Sequence, residues 1–184
     1  MARAAQRAVH ADMKHNEEHI ESLAGEGAAR KIRELAKAAR YCLFGTELDH
    51  PPVTVRPMTV MDVDDAGSLW FLSSRTSHTN QHLAQSPRVQ LFFVNGGSAE
   101  FLTIEGSALV HADRPTKERF WSPMVKTWFQ DGIDDPDLTV LQVQPEGGHY
   151  WDTKHGKMVS WAKIAAGAVS GRTFDDGIQG DLRP

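Results

Sequence analysis

The chain has 184 residues, of which 40% are hydrophobic and 24% are charged, and its formal net charge is −4. This length predicts one folded domain with a core of its own. The lone Cys42 excludes a disulfide-held secreted scaffold, and no apolar run approaches the roughly 20 residues of a membrane-spanning helix. The acidic balance argues against nucleic-acid binding, which needs a basic face. The basic first residues lack the apolar segment of a secretory signal, so we expect a soluble, cytoplasmic protein.

Three zones differ in composition. Residues 1–25 are polar and His-rich with weak periodicity, and we interpret them as an N-terminal extension. Residues 26–170 carry the ordered patterns and form the predicted domain. Residues 171–184 are rich in Gly and Asp, which predicts a C-terminal tail that is mobile or docked on a partner.

The domain opens with a helix and continues mainly as strands. Ile32, Leu35, Ala36 and Ala39 form one apolar stripe, which predicts a helix over residues 28–40. Six or seven antiparallel strands follow, with a bulge or bend at Gly106. The predicted extended segments are residues 41–44, 53–61, 69–72, 89–94, 101–105, 107–111, 138–144 and 149–152, with 158–162 as a further candidate. The connections are too short for a helix after each strand, which favours a closed or split β-barrel over a parallel sheet.

Two short helices interrupt the strands. Thr76 and Ser77 are N-cap candidates for a helix that runs to about Gln85. Asp113 and Pro115 predict the start of a second helix, which extends through about residue 121.

The segment S-S-R-T-S-H-T at residues 73–79 carries the strongest chemical pattern. It places five hydroxyl groups, one Arg and one His where a helix begins. Unpaired N–H groups and the dipole at a helix N-terminus favour an anion, so the segment is typical of a phosphate cradle. An ordinary Ser/Thr-rich cap and loop explains the same pattern, and the residues alone leave both readings open.

A second candidate site is the strand that contains Arg56, Pro57 and Met58. Proline cannot donate to a strand ladder, so this strand should lie at an edge or be broken there. A neighbouring Arg can hold a phosphate through charge-assisted hydrogen bonds. The alternative is an edge strand with a solvated Arg.

Aromatic side chains are concentrated outside the strands. Phe120, Trp121, Trp128 and Phe129 fall within ten residues of one another. Such loop aromatics mark a ligand wall or a subunit contact, or they cap the core.

Other patterns carry less weight. Residues 15–19 read H-x-x-E-H, but no third ligand accompanies them, so we interpret them as a polar surface helix and expect no metal site. Cys42 has no catalytic context and is expected to be buried.

The order of these motifs resembles one family. The R-P-M strand, L-W-F-L-S-S, the S-H helix start, F-W-S-P and D-D-P-D-L are similar to the general stress protein 26 group of the pyridoxamine 5′-phosphate oxidase-like, FMN-binding split-barrel proteins. The likeness covers residues 28–171. It implies a mainly β, six-stranded antiparallel split barrel with flanking helices. It also implies a homodimer with one FMN at each of two clefts between the subunits.

The resemblance assigns residues to the flavin. The strand from Arg56 would contact the phosphate and the ring edge, and the helix start near Ser77 would meet the phosphate. Leu72 would lie along the ribityl chain or the ring, and Trp121 at the cleft or the dimer interface. The full implied set is Arg56, Pro57, Met58, Thr59, Met61, Leu72, Ser73, Ser77, His78, Thr79, Trp121 and Trp128.

The chain departs from the family pattern at the cations. The oxidases place a Lys near Met61 and Arg-Lys near His78 and Thr79, and none of these cations is present here. We therefore expect weaker FMN binding than in the oxidases, or FAD or a deazaflavin instead. The C-terminal Arg/His substrate motif of the oxidases is missing after Trp161, so vitamin B6 oxidation is not expected.

The resulting prediction is a flavin-dependent oxidoreductase with a stress-related role, in which no catalytic residue is assigned. One alternative is a flavin-binding or flavin-storing stress protein without turnover. The other is an apo dimeric interaction domain whose cofactor site has decayed.

Overall fold

The computed structural model describes residues 20–153 and 177–184, and this part of the chain is mainly β with a few helices. The strands are β1 (Leu23–Ala24), β2 (Tyr41–Thr46), β3 (Thr54–Thr59), β4 (Asp62–Val63), β5 (Leu69–Ser74), β6 (Arg88–Asn95), β7 (Glu100–His111), β8 (Leu138–Thr153) and β9 (Gly177–Arg183). The helices are α1 (Gly25–Ala39), α2 (His78–Gln85) and α3 (Arg114–Phe120), with short 3₁₀ turns at Val125–Thr127 and Gly132–Asp134.

All nine strands belong to one branched sheet. The main path runs β1-β9-β8-β7-β6-β2-β3, and β8 also pairs with β5, which pairs with β4. Strand β8 spans 16 residues, so its first half can pair with β5 and its second half with β9. Among the described strands β3 pairs only with β2, so the sheet does not close into a barrel.

The strand count and the uniform antiparallel pairing expected from the sequence are not what the structure shows. The described residues 20–153 and 177–184 form nine strands rather than six or seven, and β1 runs parallel to β9, with Leu23 opposite Leu182. The mobile tail expected at 171–184 contains β9 instead, because Leu182 is buried in the core. Gly180 permits this docking, since a Cβ there would lie 2.0 Å from the Glu21 carbonyl oxygen.

Strands β7 and β8 each contain two of the extended segments that the sequence predicted separately, and glycines lie where these segments meet. The bend predicted at Gly106 is confirmed as a register shift inside the continuous strand β7. A Cβ at Gly106 would lie 2.2 Å from the Gln144 carbonyl oxygen, and one at Gly148 would lie 2.4 Å from that of Thr103. Because these glycines let β7 and β8 approach closely, the two strands stay paired on both sides of the register shift.

Helix α1 covers one side of the sheet. The predicted stripe is confirmed, since Ile32, Leu35 and Ala36 are buried in the main core. Burial of each large apolar side chain contributes roughly 1.5–3 kcal/mol. Phe44 and Phe71 meet edge to face in the same core, with ring centroids 5.4 Å apart.

The predicted helix starts are confirmed at both short helices. The Ser77 side chain accepts a hydrogen bond from the Asn80 N–H, and the Asp113 side chain accepts one from the Thr116 N–H. These side chains satisfy N–H groups that a helix leaves unpaired at its start.

In the described residues, no helix has the length and apolar character needed to span a bilayer. The H-x-x-E-H segment, Trp161 and the candidate strand at 158–162 lie outside the described residues.

Candidate functional site

The edge strand β3 and the start of α2 meet at one polar contact. Arg56 pairs with buried Phe44 across the β2–β3 ladder, so its side chain leaves the strand on the core side. There Arg56 Nη1 donates a short hydrogen bond to Thr79 Oγ1. Thr79 is buried and lies in the first turn of α2. The contact therefore brings together two of the residues predicted from separate motifs.

Strand alternation divides the other residues predicted on β3. Met58 shares the core side with Arg56, whereas Pro57 and Thr59 are exposed on the opposite side. Met61 follows the strand, and its N–H donates to the Trp70 carbonyl oxygen at 2.8 Å. The edge position predicted from Pro57 is confirmed, because β3 pairs with β2 alone in the described sheet.

The predicted serines are held by one another. Ser73 Oγ lies 3.1 Å from Ser77 Oγ, and Ser77 caps α2. His78 is exposed, and its ring lies parallel to the His82 ring with centroids 6.3 Å apart. The hydroxyls of Ser73 and Ser77 thus shape the start of the helix, while His78 faces solvent beside it.

A buried amide–hydroxyl chain that sequence reasoning missed fixes α2 to β8. Asn80 Nδ2 donates to Thr139 Oγ1 at 2.9 Å, and Thr139 Oγ1 donates to the Ser73 carbonyl oxygen at 2.8 Å. Both Asn80 and Thr139 are buried, so their hydrogen bonds replace those lost with water. A polar Thr inside the apolar run L-T-V-L was the available signal.

The contacts of Asp137 are a second feature that the sequence did not predict, although the residue belongs to the D-D-P-D-L motif. Its carboxylate accepts a short hydrogen bond from the Ser74 hydroxyl and one from the Thr76 N–H at 3.0 Å. The bond from Ser74 is the main cause that holds the pKa of Asp137 below its ordinary value, followed by the Thr76 contacts and the Arg75 charge. Ser74 and Thr76 are therefore already engaged by an acid of the chain.

The predicted aromatic wall is largely a cover over β5 and β8. Phe129 is buried with Val125 and Leu138, and Leu72 and half-buried Trp121 pack against them. These side chains lie on the face of β5 opposite Ser73, since neighbouring strand residues alternate. Phe120 and Phe129 are buried and cap the core, which is one of the alternatives that the sequence left open for the loop aromatics.

Trp128 differs from its aromatic neighbours because 70% of its surface is exposed. An exposed Trp of this kind suits a contact with a ligand or a partner chain.

The donors at the β3–α2 contact suit a phosphate group. Arg56 brings a full positive charge and several N–H donors, and Thr79 brings a hydroxyl. The N–H groups of His78 and Thr79 lie in the first helical turn, where no intrahelical acceptor is available. One cation, one hydroxyl and a helix start are the chemistry that a phosphate monoester requires, with fewer charges than a two-cation site.

A broad apolar surface lies on the other side of the same sheet. Its register row runs from Pro57 on β3 through Leu43, Phe92 and Thr103 to His149 on β8. A second row contains Val94, Phe101 and Trp151. We call these rows, together with Tyr41 and Val55, the outer sheet face.

The outer sheet face exposes large apolar side chains. The exposed fractions are 60% for Val94, 58% for Tyr41 and 42% for Phe101. A cavity of about 400 Å³ lies between β6, β7 and β8, lined by Phe92, Phe93, Val94, Phe101, Leu102, Thr103 and Trp151. Exposed apolar side chains that adjoin one another on one face are typical of a contact site.

Comparison with known proteins identifies the family. The family model described as "Pyridoxamine 5'-phosphate oxidase like" matches residues 27–175. The chain belongs to this family. The match includes β3, α2 and the aromatic segment, so every described element of the candidate site lies within the pyridoxamine 5′-phosphate oxidase-like region.

Members of the same group share sequence with the chain. General stress protein 26 of Bacillus subtilis is 26% identical over 85 residues, which cover 45% of this chain and 60% of that protein. The chain thus spans less than two thirds of the length of this relative. A general stress FMN/FAD binding protein from Xanthomonas citri is 27% identical, with a TM-score of 0.58 over 68% of this chain and 87% of its own.

A solved structure supports the fold over a longer range. A general stress protein 26 from Jannaschia sp. CCS1 has a TM-score of 0.71 and covers 85% of this chain and 98% of its own. Its identity is 22%, so the likeness concerns the fold of this pyridoxamine 5′-phosphate oxidase-like protein.

Proposed function

We propose that this pyridoxamine 5′-phosphate oxidase-like protein binds a flavin, with FMN as the first candidate. The observation that carries the proposal is the contact between Arg56 and Thr79 at the start of α2. It gathers a guanidinium, a hydroxyl and helix N–H groups at one point, which is the donor set for a phosphate. The Xanthomonas citri relative, described as FMN/FAD binding, supports the same ligand class.

The residues of the chain bind and orient the ligand in this proposal. Arg56 and Thr79 hold the phosphate, and the Ser77 cap sets the direction of the helix N–H groups. A bound flavin would supply the redox chemistry. An FMN phosphate carries about two negative charges, so a site with one contacting cation should bind it less tightly than a site with several. FAD and a deazaflavin therefore stay alternatives to FMN.

We further propose that two copies associate through the outer sheet face. A flavin at the subunit interface stays a prediction from the sequence, because the contact between Arg56 and Thr79 lies on the core side of β3, opposite to the outer sheet face. Leu43, Phe92, Val94, Phe101 and Trp151 form a contiguous apolar surface that a monomer would leave in water. Homodimer interfaces are more apolar than ordinary surface, and a two-fold contact uses the same patch on both subunits.

Flavin titration tests the proposed binding. We expect the purified protein to quench FMN fluorescence, and we expect Arg56→Ala to weaken FMN binding by roughly 10- to 100-fold, because a charge-assisted hydrogen bond contributes about 1.5–3 kcal/mol. Arg88→Ala is the matched control, since Arg88 is exposed and pairs with exposed Asp49. A protein without visible flavin absorbance that leaves FMN fluorescence unchanged would contradict the proposal and favour the apo interaction domain.

The proposed activity is that of a flavin-dependent oxidoreductase with a stress-related role, distinct from vitamin B6 oxidation. Reduction of the bound flavin by NAD(P)H, faster than that of free flavin, would support turnover. Bound flavin reduced no faster than free flavin would instead support the binding or storage role. The cytoplasmic location stays a prediction from the sequence.

A further inference from the structure

Asp137 joins three segments at the base of the candidate site. It lies directly before β8, at the end of the ladder in which Ser74 pairs with Leu138. The Asp137 carbonyl oxygen accepts the Arg75 N–H at 2.7 Å, which extends that ladder by one contact. The Asp137 side chain then reaches the turn between β5 and α2, where it binds Ser74 and Thr76.

The segment that carries Asp137 is itself anchored. The Asp137 N–H donates to Asp135 Oδ1 at 2.9 Å. Lys117 of α3 is buried, and its Nζ donates to the Asp135 carbonyl oxygen at 3.1 Å. Asp137 therefore extends from a fixed support and can restrain the more exposed turn at residues 74–76.

The restrained turn leads straight into the donor set for the phosphate. The Ser77 N–H donates to the Ser74 carbonyl oxygen at 3.0 Å, so Ser74 links the Asp137 carboxylate to the cap of α2. Thr79, which accepts the hydrogen bond from Arg56, lies two residues beyond the cap. The position of the first turn of α2 thus depends on where Asp137 holds Ser74 and Thr76.

The same contacts show which hydroxyls are engaged within the protein. Ser74 donates to Asp137 and lies 3.0 Å from the Thr76 hydroxyl, and Ser77 caps the helix. A second acid beside these groups would be repelled by the carboxylate. A phosphate is therefore directed toward Arg56 and Thr79, away from the hydroxyls of Ser74 and Thr76.

We propose that Asp137 is a positioning residue, which holds the β5–α2 turn so that Arg56 and Thr79 face the flavin phosphate before the ligand binds. Preorganisation of this kind raises affinity because the ligand does not have to order the turn. The inference rests on the proposed flavin binding and adds a residue that does not itself contact the ligand.

Riboflavin, which lacks the phosphate, separates positioning from general damage. We expect Asp137→Ala to weaken FMN binding roughly tenfold, because the hydrogen bonds that hold Ser74 and Thr76 near the phosphate are lost. Riboflavin binding should weaken less than about twofold, because riboflavin has no phosphate. Asp137→Asn keeps an oxygen for the Thr76 N–H and should restore most of the FMN affinity. Asp131→Ala removes the same charge from an exposed position of the same connection and is the matched control.

Hydrogen exchange tests the inference without flavin. The Asn80 and Gln81 N–H groups donate to the Ser77 side chain and carbonyl oxygen in the first turn of α2. We expect both amides to exchange faster in the Asp137→Ala protein and at the wild-type rate in the Asp131→Ala protein. Unchanged exchange in the Asp137→Ala protein would overturn the inference.

The binding outcomes distinguish the two proposals. Equal losses of FMN and riboflavin affinity in the Asp137→Ala protein, or tighter FMN binding, would overturn the positioning role and leave flavin binding standing. A wild-type protein that binds neither FMN nor riboflavin would overturn the proposed function, and the positioning role with it.

Discussion

Arg56 on the edge strand β3 donates a hydrogen bond to Thr79 in the first turn of α2, although 23 residues separate them in the chain. The contact orients a cation that would otherwise be free to move at a sheet edge. It also gives the buried Thr79 hydroxyl a charged partner.

The hydroxyl of Thr79 is central to the proposed phosphate site. Thr79→Val keeps the shape of the side chain but removes the acceptor for Arg56 and a donor to the phosphate. We expect FMN binding to weaken roughly 3- to 10-fold, because a neutral hydrogen bond contributes about 0.5–1.5 kcal/mol. Thr79→Ser keeps the hydroxyl and should bind FMN almost as the wild type does. Fluorescence titration measures both, and equal affinities for the two variants would place the phosphate elsewhere.

The outer sheet face is the proposed contact between two copies of the chain. Phe101 is 42% exposed in the single chain, so Phe101→Asp should leave the fold intact while it places a charge in the proposed interface. We expect a dimer for the wild type and a monomer for the variant in size-exclusion light scattering. Gln144→Glu, at an exposed position on β8 outside the apolar rows, should stay dimeric. A monomeric wild type would contradict the proposed homodimer.

The buried thiol of Cys42 should make the stability of the protein depend on pH. Burial raises the pKa of the Cys42 thiol from 9.0 to about 12. The folded state therefore keeps the thiol proton that the unfolded chain releases above about pH 9. The contribution is present in full below that pH and declines as the pH rises from about 9 toward 12.

Urea unfolding of the wild type and of Cys42→Ala checks this sign. The free energy of unfolding of the wild type should fall relative to that of the variant by up to about 1.4 kcal/mol per pH unit above pH 9. A thiol reagent at pH 8 should react slowly with the folded wild type and rapidly in urea. A constant difference between the two proteins from pH 8 to 10.5 would contradict the buried, protonated thiol.

Strands β7 and β8 approach each other closely at Gly148. A Cβ at Gly148 would lie 2.4 Å from the backbone oxygen of Thr103, whereas a Cβ at Gly147 would meet the flexible Glu105 side chain at 2.7 Å. We expect Gly148→Ala to lower the free energy of unfolding by about 2 kcal/mol or more and Gly147→Ala by less than about 1 kcal/mol. Denaturant unfolding measures both, and equal losses would mean that the strands separate easily.

Local sequence signals predicted the local features well. Ser77 and Asp113 were identified as caps, Gly106 as a bulge and Pro57 as the mark of an edge strand, and the structure confirms each. Each of these features depends on the chemistry of one or two residues and their chain neighbours. The assignment to the pyridoxamine 5′-phosphate oxidase-like family also came from the order of such motifs.

The features that were missed depend on segments far apart in the chain. The contact between Asp137 and Ser74 requires that the start of β8 lie beside the end of β5, and more than 60 residues separate these two points in the chain. The tail at residues 177–183 became a strand because Leu182 finds a place in a core built from α1 and the main sheet. The residue pattern within the tail does not predict that it pairs with β8.

The amino-acid sequence by itself determined the caps, the bulge, the edge strand and the two polar motifs, because each follows from backbone chemistry within a few residues. Only the tertiary structure decided that Arg56 meets Thr79, that Asp137 engages Ser74, and that the apolar residues of five strands share one exposed face. The physical reason is register. A shift by one residue would turn every side chain of a strand to the other face, and long-range pairing across the whole sheet sets that register.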